Sequence, residues 1–239
     1  MDKKVFLVTG GNKGIGKEIV KQLASLGHLV YFSTRNVRAG KQALADLRSF
    51  GEVKLVSMDV NDRKSQEAAY AQIAEDSGYL DGLINNAGIC TDYSAPSMVS
   101  QEALRLHFET NYYGPISVTQ TMLPLLRKGS SKVIVNVSSA LGSIALQGEE
   151  SWPFYGVNLL AYNSSKTALN MFTVSLAKEL RIEGFKVNSV NPGHIKTDLG
   201  GENAPGTVEE GAAISVRCAL LENNTQTGLF LSKGGSVPW

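Results

Sequence analysis

Cysteine is scarce in this 239-residue chain: only Cys90 and Cys218 occur, 218 − 90 = 128 positions apart, with no Cys-x-x-Cys or Cys/His cluster. Neither a disulfide framework nor a zinc site is indicated, and the two read as free thiols of a reducing compartment. Histidine is equally sparse. His28, His107 and His194 have no ligand spacing, which argues against a metal-dependent hydrolase. An excess of one charge is missing too, since 23 Lys and Arg face 22 Asp and Glu for a net +1. That balance removes any electrostatic case for nucleic acid or an anionic membrane. No apolar run reaches about 18 residues, and the apolar stretch at Val5 begins too early and ends too soon for a signal peptide. The expectation is a cytoplasmic protein without membrane or nucleic-acid partners.

What is present fits an ordinary globular core: 43% hydrophobic and 19% charged residues. The length favours one domain over residues 1–239, with no linker, repeat or low-complexity tract to divide it. Short β-branched or apolar runs alternate with longer amphipathic segments, the pattern of an α/β, doubly wound, Rossmann-type parallel sheet with helices on both faces. About seven strands are expected, at Val5–Val8, Leu29–Ser33, Val53–Met58, Leu80–Ile84, Lys132–Val137, Lys186–Val190 and Leu229–Leu231. Asn36 before Val37–Ser49, Asn61 or Asp62 before the next helix, and the capping box Thr207-Val-Glu-Glu210 mark helix starts. The stretch Ser100–Arg127 carries Gly114-Pro115 and Pro124, so a helix with a disturbed middle is expected there. Leu141–Val157 and Gly193–Gly206 read as loops.

The first strand runs directly into Thr9-Gly-Gly-Asn-Lys-Gly-Ile-Gly16, followed by an apolar-periodic helix. In that setting a glycine cluster is a phosphate cradle, with free N–H groups and the positive end of the helix dipole facing a pyrophosphate. Two further patterns follow in order: Asn85-Asn-Ala-Gly88 at the end of the fourth strand, and Tyr162-Asn-Ser-Ser-Lys166. Tyr-x-x-x-Lys alone is a weak signal; its position after the other two gives it weight.

The spacing Gly-x-x-x-Gly-x-Gly departs from Gly-x-Gly-x-x-Gly. Together with Asn85-Asn-Ala-Gly88, Tyr162-x-x-x-Lys166 and Asn191-Pro-Gly-His-Ile-Lys-Thr197, it resembles the short-chain dehydrogenase/reductase family over essentially the whole chain. The wording of the glycine loop, Thr110-Asn-Tyr-Tyr-Gly114, Thr197-Asp-Leu-Gly-Gly201 and Trp239 look most like the NADPH-dependent carbonyl reductases. The resemblance implies a cofactor half, 1–130, and a catalytic and substrate half, 131–239. It implies dinucleotide contacts from Gly10, Asn12, Lys13, Gly14, Ile15 and Gly16, adenine contacts from Asp59 and Val60, and an adenine-ribose wall from Asn86, Ala87 and Gly88. It places Pro192, Gly193, Ile195 and Thr197 at the nicotinamide end.

Cofactor choice also has a charge argument. An NAD enzyme needs an acid at the end of the second strand for the ribose 2′-hydroxyl, whereas this chain has Ser33-Thr-Arg-Asn36. Arg35 can grip a 2′-phosphate with a charge-assisted fork and Lys13 can add a second positive charge, which favours NADPH/NADP over NADH.

Reduction of a carbonyl needs hydride on carbon and a proton on oxygen, and Tyr162 is suited to supply the proton. A cation one helical turn away stabilises phenolate; at about 4 Å and an effective dielectric near 20 the attraction is on the order of 4 kcal/mol, so Lys166 is expected to lower the Tyr162 pKa. The family pattern assigns Ser139 to orienting the substrate oxygen, with Ser138 the close competitor. It assigns Asn111 to holding a water that links Lys166 to solvent. Ser139 and Tyr162 are separated by 162 − 139 = 23 positions, against roughly a dozen in most of the family, so about ten residues are inserted here. Trp152, Pro153, Phe154 and Tyr155 in that insertion either roof the substrate or pack the loop down. The insertion also bears on Asn158–Arg181, whose face commonly forms the family's oligomer interface, so a homo-oligomer is left open.

The expected activity is NADPH-dependent reduction of a small ketone or aldehyde to an alcohol. A 3-oxoacyl thioester reductase is an alternative, as is an NADPH-sensing binding protein without turnover; the retention of both Tyr162 and Lys166 speaks against the last.

Overall fold

In the computed structural model, residues 2–221 and 226–239 are described. Strand β1 (Val5–Thr9) feeds helix α1 (Gly14–Ser25), and β2 (Leu29–Thr34) feeds α2 (Val37–Leu47). Strand β3 (Val53–Ser57), α3 (Arg63–Asp76) and β4 (Gly82–Asn85) complete the first winding. The second comprises α4 (Gln101–Phe108), α5 (Gly114–Lys128), β5 (Val133–Val137), α6 (Ile144–Gln147), α7 (Leu160–Glu179), β6 (Lys186–Val190), α8 (Val208–Ala219), β7 (Phe230–Ser232) and β8 (Gly235–Ser236).

The sheet order is β3-β2-β1-β4-β5-β6-β7-β8, parallel except for the antiparallel β7–β8 pair. Strand order reverses between β1 and β4, and the crevice outside their carboxyl ends is where an open α/β sheet binds ligands. The strands β1, β2, β4 and β5 are buried along their entire length, as a sheet covered on both faces requires. Leu7, Tyr31, Leu83, Ile134 and Val187 pack on one face with residues of α3, α5 and α7. Phe6, Val8, Phe32, Ile84 and Val135 pack on the other with residues of α1, α2 and α8.

Eight strands replace the expected seven. The added β8 is two residues long and begins with Gly235, too short to carry a period-2 signal. β5 starts at Val133 instead of Lys132, because Lys132 takes a left-handed conformation, φ 52°. The Asn36 side chain accepts from the Ala39 N–H, Asp62 instead of Asn61 caps α3, and the Thr207/Glu210 capping box is formed. The expected disturbance in Ser100–Arg127 is a π-helical turn over Glu109–Tyr113, between α4 and α5. Leu141–Val157 is less irregular than expected: a 3-10 turn at Ala140–Gly142 leads into α6, capped by Ser143.

Candidate active site

The glycine loop is held by its neighbours. The Thr9 hydroxyl accepts from the N–H groups of Asn86 and Ala87 at 2.9 and 3.0 Å, and the Asn86 amide donates to the carbonyls of Thr9 and Gly10 at 2.9 and 3.2 Å. A Cβ on Gly16 would fall 2.3 Å from both Asn86 Nδ2 and the Gly10 carbonyl, so only glycine permits the loop to close this tightly on β4. Gly10, at φ 65°, turns the chain away from β1. No side chain caps the start of α1.

From this loop a cleft of about 1200 Å³ crosses the carboxyl ends of the strands. It collects Gly10, Asn12, Lys13, Gly14, Ile15, Gly16, Arg35, Asp59, Val60, Asn86, Ala87 and Gly88 at one end, and Ser139, Tyr162, Lys166, Pro192, Gly193, Ile195 and Thr197 at the other. Arg35 is exposed in its wall. Lys13 pairs instead with Asp198, across the mouth of the cleft. The buried Ser33 hydroxyl also lines the cleft and has no hydrogen-bond partner.

Asn111 stands apart from the lining. It is fully buried in the π-helical turn, accepting from the Ile89 N–H at 2.8 Å and donating to the Ile89 carbonyl and Ser165 Oγ at 2.9 and 3.0 Å. A Cβ on Gly88 would lie 3.3 Å from Asn111 Oδ1 and 3.4 Å from Lys166 Nζ, with no nearer atom.

The turn after β5 separates its two serines. Ser139 Oγ accepts from the Leu141 N–H at 3.2 Å and faces the Tyr162 phenol, whose pKa it pulls down, whereas Ser138 Oγ faces the Lys166 carbonyl at 3.5 Å. Both Tyr162 and Lys166 are buried on α7. Lys166 Nζ donates to the Val137 carbonyl at 2.8 Å and lies 5.7 Å from the centre of the Tyr162 ring.

Burial brings the Lys166 ammonium down to about 8, opposed by Cys90. Burial raises the Tyr162 phenol, Cys90 adds to the rise, and the neighbouring Ser139 opposes it. The expected lowering of the phenol by Lys166 is therefore not found. The ammonium is turned to Val137, and removal from water outweighs its attraction.

Asn191, Cys90 and His194 are among the lining residues that carried no assignment in the sequence. Asn191 Oδ1 accepts from the N–H groups of Ala140 and Gly193 at 3.1 and 3.2 Å, tying the serine turn to the segment after β6. Cys90 and His194 line the substrate end with Tyr93, Trp152 and Phe154. Asn191 and His194 lie within a motif that marks them out. Nothing near Cys90 does so.

This geometry agrees with what the chain is similar to. The family model for short chain dehydrogenase matches residues 4–207, and the protein belongs to that family. Salutaridine reductase of Papaver bracteatum is 33% identical, over 94% of this chain and 92% of its own length. Among solved structures, the NADPH-bound carbonyl reductase from chicken fatty liver superposes with a TM-score of 0.87 at 30% identity, covering 100% of this chain and 95% of that one. The carbonyl reductase Sniffer of D. melanogaster gives 0.86 at 30% identity, covering 100% of both chains.

Proposed function

We propose that the protein is an NADPH-dependent reductase converting a ketone or aldehyde to an alcohol. The observation that carries this reading is a buried Tyr162 beside Ser139, with Lys166 Nζ 5.7 Å from the centre of its ring, in a cleft that runs back to the glycine loop. The cofactor half fits a dinucleotide phosphate: the glycine loop is a cradle that a Cβ on Gly16 would fill, the Ser33 hydroxyl is unpartnered, and Arg35 stands in the cleft wall. The chicken-liver relative binds NADPH. When bound, the reduced nicotinamide supplies hydride to the carbonyl carbon.

The chain's own residues do the rest. Its raised pKa keeps the proton on Tyr162 at neutral pH, ready to pass to the substrate oxygen as negative charge develops there. Ser139 donates to the same oxygen and fixes its approach. Lys166, charged below about 8, stabilises the phenolate left behind. Asn111, buried beside Lys166 and in the role the family pattern gives it, connects Lys166 through a water to a proton source and restores the tyrosine. Arg35 and, once released from Asp198, Lys13 hold the 2′-phosphate.

The test is absorbance at the reduced-nicotinamide band with a panel of ketones, aldehydes and quinones, comparing NADPH with NADH. Turnover by the wild-type protein and none by Tyr162→Phe supports the reading. NADPH binding without oxidation by any carbonyl compound points instead to a cofactor-sensing protein.

A further inference from the structure

Two segments from distant parts of the catalytic half meet at one side chain. The roof, residues 141–157, contributes Trp152 and Phe154 to the cleft, and a strap, residues 193–206, begins at Gly193-His194. The His194 ring meets Phe154 edge-on, centroids 6.0 Å apart and planes at 88°, and Phe154 meets Trp152 at 5.5 Å and 65°. Among the described residues this is the only ring contact that joins the two segments.

His194 is equally fixed from the strap side. Its Nε2 lies 2.8 Å from the Gly200 carbonyl; a carbonyl only accepts, so Nε2 carries the proton. The His194 carbonyl accepts from the Gly206 N–H at 3.1 Å, beside the Ile195–Gly206 bridge. The ring thus belongs to a strap closed on itself and touches the roof at its free edge.

We propose that His194 is a positioning residue that clasps the strap to the roof and so sets the width of the substrate end of the cleft. This rests on the reductase reading for its effect on substrates, though the clasp itself is observable without turnover. With the clasp closed, Phe154 and Trp152 stand over the carbonyl site and a small ketone is held by contact with them. Released, the roof and strap part, and small substrates lose that contact while two-ring substrates span the wider opening.

The edge contact and the hydrogen bond can be removed separately. His194→Phe keeps a ring against Phe154 but loses the donor to Gly200; His194→Gln keeps a donor but loses the ring; His194→Ala loses both. Amide hydrogen exchange of the NADP-bound protein, followed by mass spectrometry, should show faster exchange over 141–157 in the Ala and Gln variants and near wild-type exchange in the Phe variant. Over 193–206 it should be faster in the Ala and Phe variants.

In steady state, His194→Ala should raise KM for cyclohexanone at least about fivefold, the lower end of the combined scale of one ring contact and one neutral hydrogen bond. The rise in KM should exceed any fall in kcat, and KM for 2-methyl-1,4-naphthoquinone should change less than twofold. Wild-type exchange in both segments of His194→Ala overturns the clasp. Altered exchange with equal KM changes for the two substrates overturns its role in selectivity. A wild-type protein that oxidises NADPH with no carbonyl compound defeats the reductase reading, while the exchange result still decides the clasp.

Discussion

Asn111 Oδ1 and Lys166 Nζ both face Gly88, 3.3 and 3.4 Å from where a methyl on that residue would sit. Gly88→Ala would crowd both polar atoms and so disturb a proton relay that runs from Asn111 to Lys166. The expected outcome is a fall in kcat of about tenfold with a smaller change in KM, below the range for deleting a general acid outright. Steady-state kinetics with thermal melting checks this, and an unchanged kcat in a folded variant removes the relay.

Tyr162→Phe deletes the proposed proton donor and leaves the ring. Turnover should drop by about 10²–10⁴-fold while NADPH still binds, read by quenching of protein fluorescence. A variant that retains a tenth of wild-type turnover would show that another group protonates the substrate.

Lys166, at about 8 in the free protein because burial disfavours its charge, should leave an ionisation in kcat/KM for reduction. Below that pH the ammonium is charged and supports the phenolate; above it the amine is neutral and the rate falls. Tyr162, raised by burial, keeps its proton across this window and adds no limb of its own. A pH profile of kcat/KM that stays flat from 6 to 9.5 in the wild type would contradict this; the decline should move upward in Lys166→Arg, whose guanidinium stays charged.

Arg35→Asp replaces a cation with an acid in the wall beside the expected 2′-phosphate. A charge-assisted hydrogen bond contributes about 1.5–3 kcal/mol, so the ratio of kcat/KM for NADPH over NADH should fall by at least tenfold. An unchanged ratio would assign phosphate recognition to Lys13 and Ser33 alone.

The parts of the molecule that depend on local order were legible in the sequence. A strand, a glycine turn and a periodic helix in succession marked the β1–α1 loop, and alternation of apolar runs with amphipathic ones marked the sheet, because both signals lie within one short window. The Ser100–Arg127 irregularity was visible through Gly114-Pro115 and Pro124, yet the distortion itself lies upstream at Glu109–Tyr113, where no breaker stands. Pro115 follows the π-helical turn without a break, so the donor it lacks is one that a regular helix would aim at the Asn111 carbonyl inside that turn, and Pro124 sits inside α5.

What escaped depends on encounters across the fold. Lys13 meets Asp198 from 185 positions away, and no local pattern announces that its ammonium is already engaged. The direction of the Tyr162 shift escaped for a related reason: the charge of Lys166 is evident from its spacing, but the extent of burial and the pull of the Val137 carbonyl are properties of the packed site.

The two hydrogen bonds at Asn191 Oδ1 have a mechanical consequence. One carboxamide anchors both the turn that carries Ser139 and the start of the strap, so the strap's first residues cannot shift outward without pulling on that turn. Two stretches of chain some fifty positions apart are thereby made to move as one along this side of the cleft.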